Sequence, residues 1–344
     1  MPPRPRRAGP RPGPRRQPAG RRGARRARRV VVRRAVRRGR RSLIAAIDCG
    51  TNSIRLLVCE TPAEPVVREM RVVRLGEGID ATGRMSEAAL TRTFAALDDY
   101  AATIREHGAT RVRLCATSAT RDAANAEVFA AGVRERLGID PDVVTGAEEA
   151  ALSFAGAVRG LRSEPAWPVL VVDLGGGSTE LVLGGPDGVT AGHSMDVGSV
   201  RLHERHALSD PPTAAEVEAC VRDVDAHLDA CPVDPARAAT VVGVAGTITT
   251  VAAAALGLTA YDADALDQQV LAVDDVHAAI DRLLAMSVEE RRALPFMHPG
   301  RADVIGAGAL VLRQVLRRSG VDRLVVSEAD ILDGIAWSLL DRPA

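Results

Sequence analysis

The sequence of 344 residues contains no lysine, so all 45 of its basic side chains are arginine. That absence excludes a Walker A lysine, a Schiff-base lysine and a kinase-type lysine. Aromatic residues amount to only 2% of the chain, so a core has to be built from Val, Leu, Ile and Ala. Cysteine is sparse and unpatterned. Cys49, Cys59, Cys115, Cys220 and Cys231 form no C-x-x-C pair, and they read as small buried hydrophobes in a reducing cytosol rather than as a zinc site or a disulfide framework. The longest apolar stretch, VVGVAGTITTVAAAALGL (241–258), is interrupted by threonines and glycines. It reads as a buried strand entering a helix, not as a membrane span.

Acids are missing from one region only. Residues 1–41 hold 18 arginines and no Asp or Glu, which leaves 27 arginines against 44 acids in the remainder. The overall charge of +1 therefore hides a body of net −17. The Arg/Pro/Gly tail has little to bury and is expected to be disordered. It reads either as a polybasic arm that catches polyanions or as translated GC-rich sequence upstream of the native start. It lacks the apolar centre of a signal peptide.

The length predicts two domains, and β and helical patterns interleave from Ser42 onward. Strands are expected at Leu43–Ile47, Ile54–Cys59, Val66–Leu75, 111–118 and Val169–Val172, with helices at Glu87–Ile104 and Ala123–Leu137 and another opening at Ala147. The second half repeats the alternation. Two or three helices fall within 274–318, one opened by the capping box Ser287-x-x-Glu290. A strand at 323–328 and a helix at Ile331–Leu340 close the pattern.

IDCGTNSIRLLV (47–58) aligns with VDLGGGSTELVL (172–183), placing Asp48 on Asp173, Gly50 on Gly175 and Ser53 on Ser178. Each copy is strand, Asp-x-Gly, short polar turn, strand. One copy alone reads as a bulged hairpin as readily as a ligand site. Two copies point to a duplicated α/β architecture with a cleft between the halves. Turns of this composition leave backbone N–H groups uncovered, a nest for phosphate oxygens. Gly175, Gly176 and Gly177 would form one nest, with the Ser178 and Thr179 hydroxyls as further donors, and Thr51, Asn52 and Ser53 the facing one. Asp48 and Asp173, at strand ends, would repel a phosphate unless a cation intervened, which implies Mg²⁺. Glu180, on the same side of its strand as Ser178, could reach the same ion. Thr117, Ser118, Thr120 and Arg121 lie at a strand-to-helix junction, a place that attracts phosphate. Glu148 and Glu149 open a helix, where the helix dipole alone explains acids; the functional reading is that one of them activates a water.

The ordered set AAIDCGTNSIRLLV, ATSATRDAANAEVF, TGAEEAALSFAGA, VVDLGGGSTELVL, VGVAGTITTVAA, PGRADVIGAGALVL and VSEADILDGIAWSLL resembles the exopolyphosphatase / guanosine pentaphosphate phosphohydrolase (Ppx/GppA) family. The resemblance runs from Leu43 to Leu340. It implies two duplicated ribonuclease H-like domains of the sugar kinase–Hsp70–actin superfold: residues 42–145 with 328–344, and residues 146–327. It also implies that Glu149 is the catalytic base, that Asp173 and Glu180 hold Mg²⁺ with Asp48 facing them, and that Ser53, Arg121, Gly176, Gly177 and Ser178 contact phosphate. Gly246 and Thr247 would meet a nucleotide or the distal part of the substrate. Ala151 departs from the family, where many members carry Arg.

The expected function is Mg²⁺-dependent hydrolysis of a terminal phosphoanhydride, with polyphosphate or pppGpp as substrate. The absence of further helical domains after the second favours short polyphosphate or pppGpp. A cytoplasmic homodimer is expected, with no membrane partner and no nucleic-acid partner except through the arginine tail. Two rivals are a phosphotransferase of the same superfold, such as an acetate- or sugar-type kinase, and a non-catalytic alarmone or polyphosphate sensor.

Overall fold

The computed structural model describes residues 42–206 and 208–341; the disorder expected for residues 1–41 lies outside them. Two mixed sheets organise the chain. The first is built from β1 (Ile44–Cys49), β2 (Ser53–Cys59), β3 (Pro65–Val72), β4 (Arg111–Ala116) and β5 (Asp142–Val143). Its order is β3-β2-β1-β4-β5, with β1, β2 and β3 antiparallel and β4 and β5 parallel to β1. The second contains β6 (Val169–Leu174), β7 (Thr179–Gly185), β8 (Gly188–Met195), β9 (Thr240–Val244), β10 (Val270–Ala272) and β11 (Arg323–Val326). Its order, β10-β11-β9-β6-β7-β8, repeats the first with one added edge strand. β6 starts and ends 125 residues after β1, the offset of the sequence repeat. This is the duplicated ribonuclease H-like plan of the sugar kinase–Hsp70–actin superfold.

Helices of the first half are α1 (Ile79–Thr82), α2 (Glu87–His107), α3 (Ser118–Asp122) and α4 (Ala126–Leu137), followed by α5 (Gly146–Arg159). The second half carries α6 (Ser199–His206), α7 (Ala214–Ala230), α8 (Ala245–Leu256), α9 (Ala263–Leu266), α10 (Val273–Ala285), α11 (Val288–Ala293), α12 (Ile305–Ser319) and α13 (Ile331–Asp341). The capping box at Ser287 and Glu290 is formed, and a second one at Thr213 and Glu216 was not foreseen. The expected helix at Ala123–Leu137 begins three residues later, at Ala126, and the short helix α3 precedes it; between them the chain turns to put Asn125 against Met85, bonding both its N–H and its carbonyl. The third strand stops at Val72 instead of Leu75. There the N–H groups of Val73 and Arg74 both donate to the Asn52 carbonyl, and Arg74 adopts φ 50°, so the ladder cannot continue.

The apolar stretch 241–258 is β9 and α8, and among the described residues no helix is long and apolar enough to cross a membrane. Four of the five cysteines are buried and Cys231 is half-buried; all are free.

Two helices join the halves. Ile331, Leu332, Ile335, Ala336 and Leu339 of α13 pack on Ile44, Ala46, Leu57 and Cys115 of the first sheet. Ala150, Phe154 and Ala157 of α5 pack on Val169, Val171, Val182 and Val242 of the second. The helices meet each other through two glycines. A Cβ at Gly156 would lie 1.8 Å from the Asp330 carbonyl oxygen, and one at Gly334 would lie 1.9 Å from that of Leu152. Only backbone fits there. Gly334→Ala is expected to destabilise the protein by about 1–3 kcal/mol, the usual cost of overpacking a core. Gly185→Ala, with open space around it, should leave the denaturation midpoint nearly unchanged. Chemical denaturation of both variants tests the pair.

Candidate active site

The β1–β2 and β6–β7 hairpins face each other across a cleft that opens to solvent. Its wall carries Asp48, Thr51, Asn52 and Ser53 from the first hairpin, and Asp173, Gly175, Gly176, Gly177, Ser178 and Glu180 from the second. Glu149 from α5 and Gly246 and Thr247 from α8 line it too, whereas Arg121 and Thr179 of the expected set do not. Arg55 and Arg301 line the same wall and were not anticipated.

The glycine turn is fixed from behind. The N–H groups of Ser199 and Val200, at the start of α6, donate to the carbonyls of Gly175 and Gly176 at 3.0 and 2.8 Å. A helix start thus finds acceptors for its orphan donors, and the turn is held by its carbonyls. The turn also abuts the opposite hairpin: a Cβ on Gly177 would sit 2.4 Å from Thr51 Oγ1 and 2.6 Å from Ser118 Oγ. Those two hydroxyls bond each other at 2.8 Å. The glycines therefore serve close approach between the halves as well as exposure of amides.

Of the two candidate acids, α5 separates the roles by helical phase. Thr145 caps the helix by accepting from the Glu148 N–H. The Glu148 side chain stays outside and pairs with Arg113 at 2.8 Å. Glu149, one position on, turns inward and is 6% exposed. Burial pushes its carboxyl up to about 7, opposed by Arg121 and reinforced by the charges of Asp173 and Asp48.

Two expected phosphate contacts are engaged within the protein. Arg121 Nη1 donates to Glu149 Oε2 at 2.6 Å and to the Val144 carbonyl at 2.9 Å. A carboxylate this buried needs a counter-charge, and Arg121 supplies it. Thr179 is fully buried, and its hydroxyl donates to the Val197 carbonyl at 2.6 Å. Its single proton is committed away from the cleft.

Each remaining carboxylate has one oxygen held. Arg55 holds Asp48 Oδ2 through Nε at 2.9 Å and Nη2 at 2.6 Å, while its Nη1 bonds Asp330. Asp48 Oδ1 is buried without a partner. Ser153 Oγ donates to Asp173 Oδ2 at 2.6 Å, and Ser194 Oγ to Glu180 Oε1 at 2.7 Å. Burial raises all three carboxyls, that of Asp173 to about 6; Asp330 adds to the shift at Asp173, and Glu149 and Asp173 add to it at Glu180. In the repeat, Arg55 stands across the ladder from Asp48 where Glu180 stands across from Asp173. One hairpin neutralises its aspartate and the other doubles the negative charge.

Arg301 projects over Gly246, whose Cβ would lie 2.2 Å from its guanidinium. Its hydrogen bond among the described residues is a long one, to Thr250 Oγ1 at 3.4 Å. Burial lowers its pKa.

Comparison with known proteins accords with this geometry. The chain is 50% identical over 316 residues to Exopolyphosphatase 2 of Mycobacterium tuberculosis (strain ATCC 25618 / H37Rv), covering 86% of this chain and 98% of that one. It is 27% identical to a guanosine-5'-triphosphate,3'-diphosphate pyrophosphatase of Vibrio atlanticus over 87% of this chain and 60% of the relative. The crystal structure of an exopolyphosphatase-like protein superposes with a TM-score of 0.83 at 43% identity, over 86% of this chain and 98% of the other. The profile of the Ppx/GppA phosphatase family matches residues 58–342. The chain belongs to the Ppx/GppA phosphatase family.

Proposed function

We propose that the protein hydrolyses terminal phosphoanhydrides, releasing phosphate from inorganic polyphosphate and converting pppGpp to ppGpp. One observation carries this reading above the rest. A buried carboxylate, Glu149, with an affinity for protons near neutrality, lies on the wall of a cleft built from two Asp-x-Gly hairpins. A binding module has no use for such a base, and a kinase would need a second base beside an acceptor. The identity to an exopolyphosphatase supports polyphosphate as a substrate.

The two halves act as lobes, residues 42–145 with 328–344 and residues 146–327. The hairpin amides and Ser53 and Ser178 hold the terminal phosphate between them. Arg55 and Arg301 contribute positive charge from the wall, Arg301 toward the distal phosphates beside Gly246 and Thr247. Arg121 keeps Glu149 Oε2 occupied, so Oε1 receives the proton of the attacking water.

The residues also fit a divalent cation of the Mg²⁺ type. Asp48 Oδ1 is a buried orphan, and Asp173 and Glu180 repel each other in a desolvated wall. Among the described residues no three His, Cys, Asp or Glu side chains converge as a ready-made cage. Mg²⁺ needs no such cage, since it keeps waters and binds through one or two carboxylates plus substrate phosphate. Asp173 and Glu180 would hold it, with Asp48 facing. Its chemistry there is to neutralise charge on the transferring phosphoryl oxygens.

Phosphate release from short polyphosphate, long polyphosphate and pppGpp should be lost in EDTA and restored by Mg²⁺. Glu149→Gln should lower turnover more than about tenfold, and a variant keeping more than that fraction would remove Glu149 as the base. Gly177→Ala forces the hairpins apart and should lower kcat/KM at least about tenfold, since displacements near 1 Å in a reacting site cost this much or more; steady-state kinetics reads it. The same reading makes the enzyme a cytoplasmic homodimer, and light scattering at twice the chain mass is the expected result.

A further inference from the structure

We propose that Ser153 is a positioning residue for Asp173, tying that carboxylate to the helix that carries Glu149. The inference rests on the reading above, in which Asp173 is a cation ligand. Ser153 is fully buried, one turn beyond Glu149 on α5, so both side chains leave the same face of the helix.

A helix-interior serine or threonine ordinarily returns its proton to the carbonyl four residues back. Thr93 does so with Ala89, and Thr250 with Gly246. Ser153 does not; its hydroxyl donates to Asp173 Oδ2 at 2.6 Å. A hydroxyl has one proton to give, and here it is spent across elements, from α5 to the end of β6.

The helix that presents it has little freedom. Gly156 is against the Asp330 carbonyl, and a Cβ on Gly146 would lie 2.7 Å from the Cβ of Ser194, the residue that holds Glu180. With α5 fixed at both ends, Ser153 fixes the plane of the Asp173 carboxylate and occupies Oδ2. Oδ1 is the oxygen left for the cleft. The base and the cation ligand then share one rigid support, and their separation is set by a single turn of helix.

The test uses the full chain, with Mn²⁺ as the paramagnetic probe of metal binding and phosphate release titrated against Mg²⁺. Ser153→Ala should weaken Mn²⁺ binding about tenfold or more and raise the half-saturating Mg²⁺ by a similar factor, the usual effect of removing a partner that orients a ligand. Ser153→Cys, a weak donor of similar size, should fall between Ala and wild type, and it also serves if the Ala variant melts early. Thr93→Val, which removes a buried hydroxyl far from the cleft, should leave Mn²⁺ affinity unchanged. Mn²⁺ affinity and Mg²⁺ half-saturation within twofold of wild type in both Ser153 variants would overturn the proposal, as would an equal loss in Thr93→Val. Asp173→Asn separates the two levels: if it binds Mn²⁺ as wild type does, the assignment of Asp173 as ligand fails, and the role of Ser153 fails with it.

Discussion

The backbone contact between α5 and α13 is the constraint on which the rest of the site depends. Gly156 and Gly334 let each helix reach a carbonyl of the other at a distance no side chain allows. Each helix then covers a different sheet, α13 the first and α5 the second. The halves are joined by interdigitated main chain, and interiors packed at this density transmit displacement rather than absorb it. Glu149 and Ser153 ride on the helix so clamped, so the depth of the Glu149 carboxylate in the cleft is a property of the joint.

The duplication explains where the carboxylates are, and its broken symmetry explains what they do. Asp48 and Asp173 occupy equivalent ladder positions, yet their cross-strand neighbours are Arg55 and Glu180. Opposite charges directly across a ladder stabilise and like charges do not. The first hairpin is therefore electrostatically closed, its arginine shared with Asp330. The second pairs two acids: burial is the main cause of the raised carboxyls in both hairpins, but Arg55 opposes it at Asp48 while Glu149 and Asp173 add to it at Glu180. One aspartate faces a cationic side chain across its ladder and the other an anionic one.

Much of this was legible in the sequence because it rests on spacing. The offset of 125 residues located both hairpins, and strand, glycine turn and strand followed from it. What escaped was whatever depended on partners distant in sequence. Position alone could not choose between Glu148 and Glu149; the burial of one face of α5 did. Arg121 was placed at the right junction, but nothing local shows that it also bonds a buried glutamate 28 positions later. Thr179 was lost to the Val197 carbonyl for the same reason. Arg55 could have been found: pairing the hairpin outward from its turn sets it opposite Asp48, as it sets Glu180 opposite Asp173. Ser153 gave no signal, since a serine in an apolar helix face looks like a small filler.

The charge of the cleft wall resolves an apparent contradiction in the composition. The residues outside the tail are net −17, a poor start for an enzyme that takes polyanions. The wall repeats the problem in miniature, with Asp48, Glu149, Asp173 and Glu180 against Arg55 and Arg301. Arg55 is already committed to Asp48 and Asp330, and Arg121 behind the wall to Glu149. A fully ionised wall exceeds its arginines by two negative charges, the charge that one divalent cation cancels. Protons cancel it otherwise, which is why burial and mutual repulsion lift the carboxyls toward neutrality. If a divalent cation were bound by Asp173 and Glu180 it would take the place of those protons and leave Glu149 ionised, so on the proposed reading the excess of acid that repels a bare polyanion would suit the site to one that arrives with its metal.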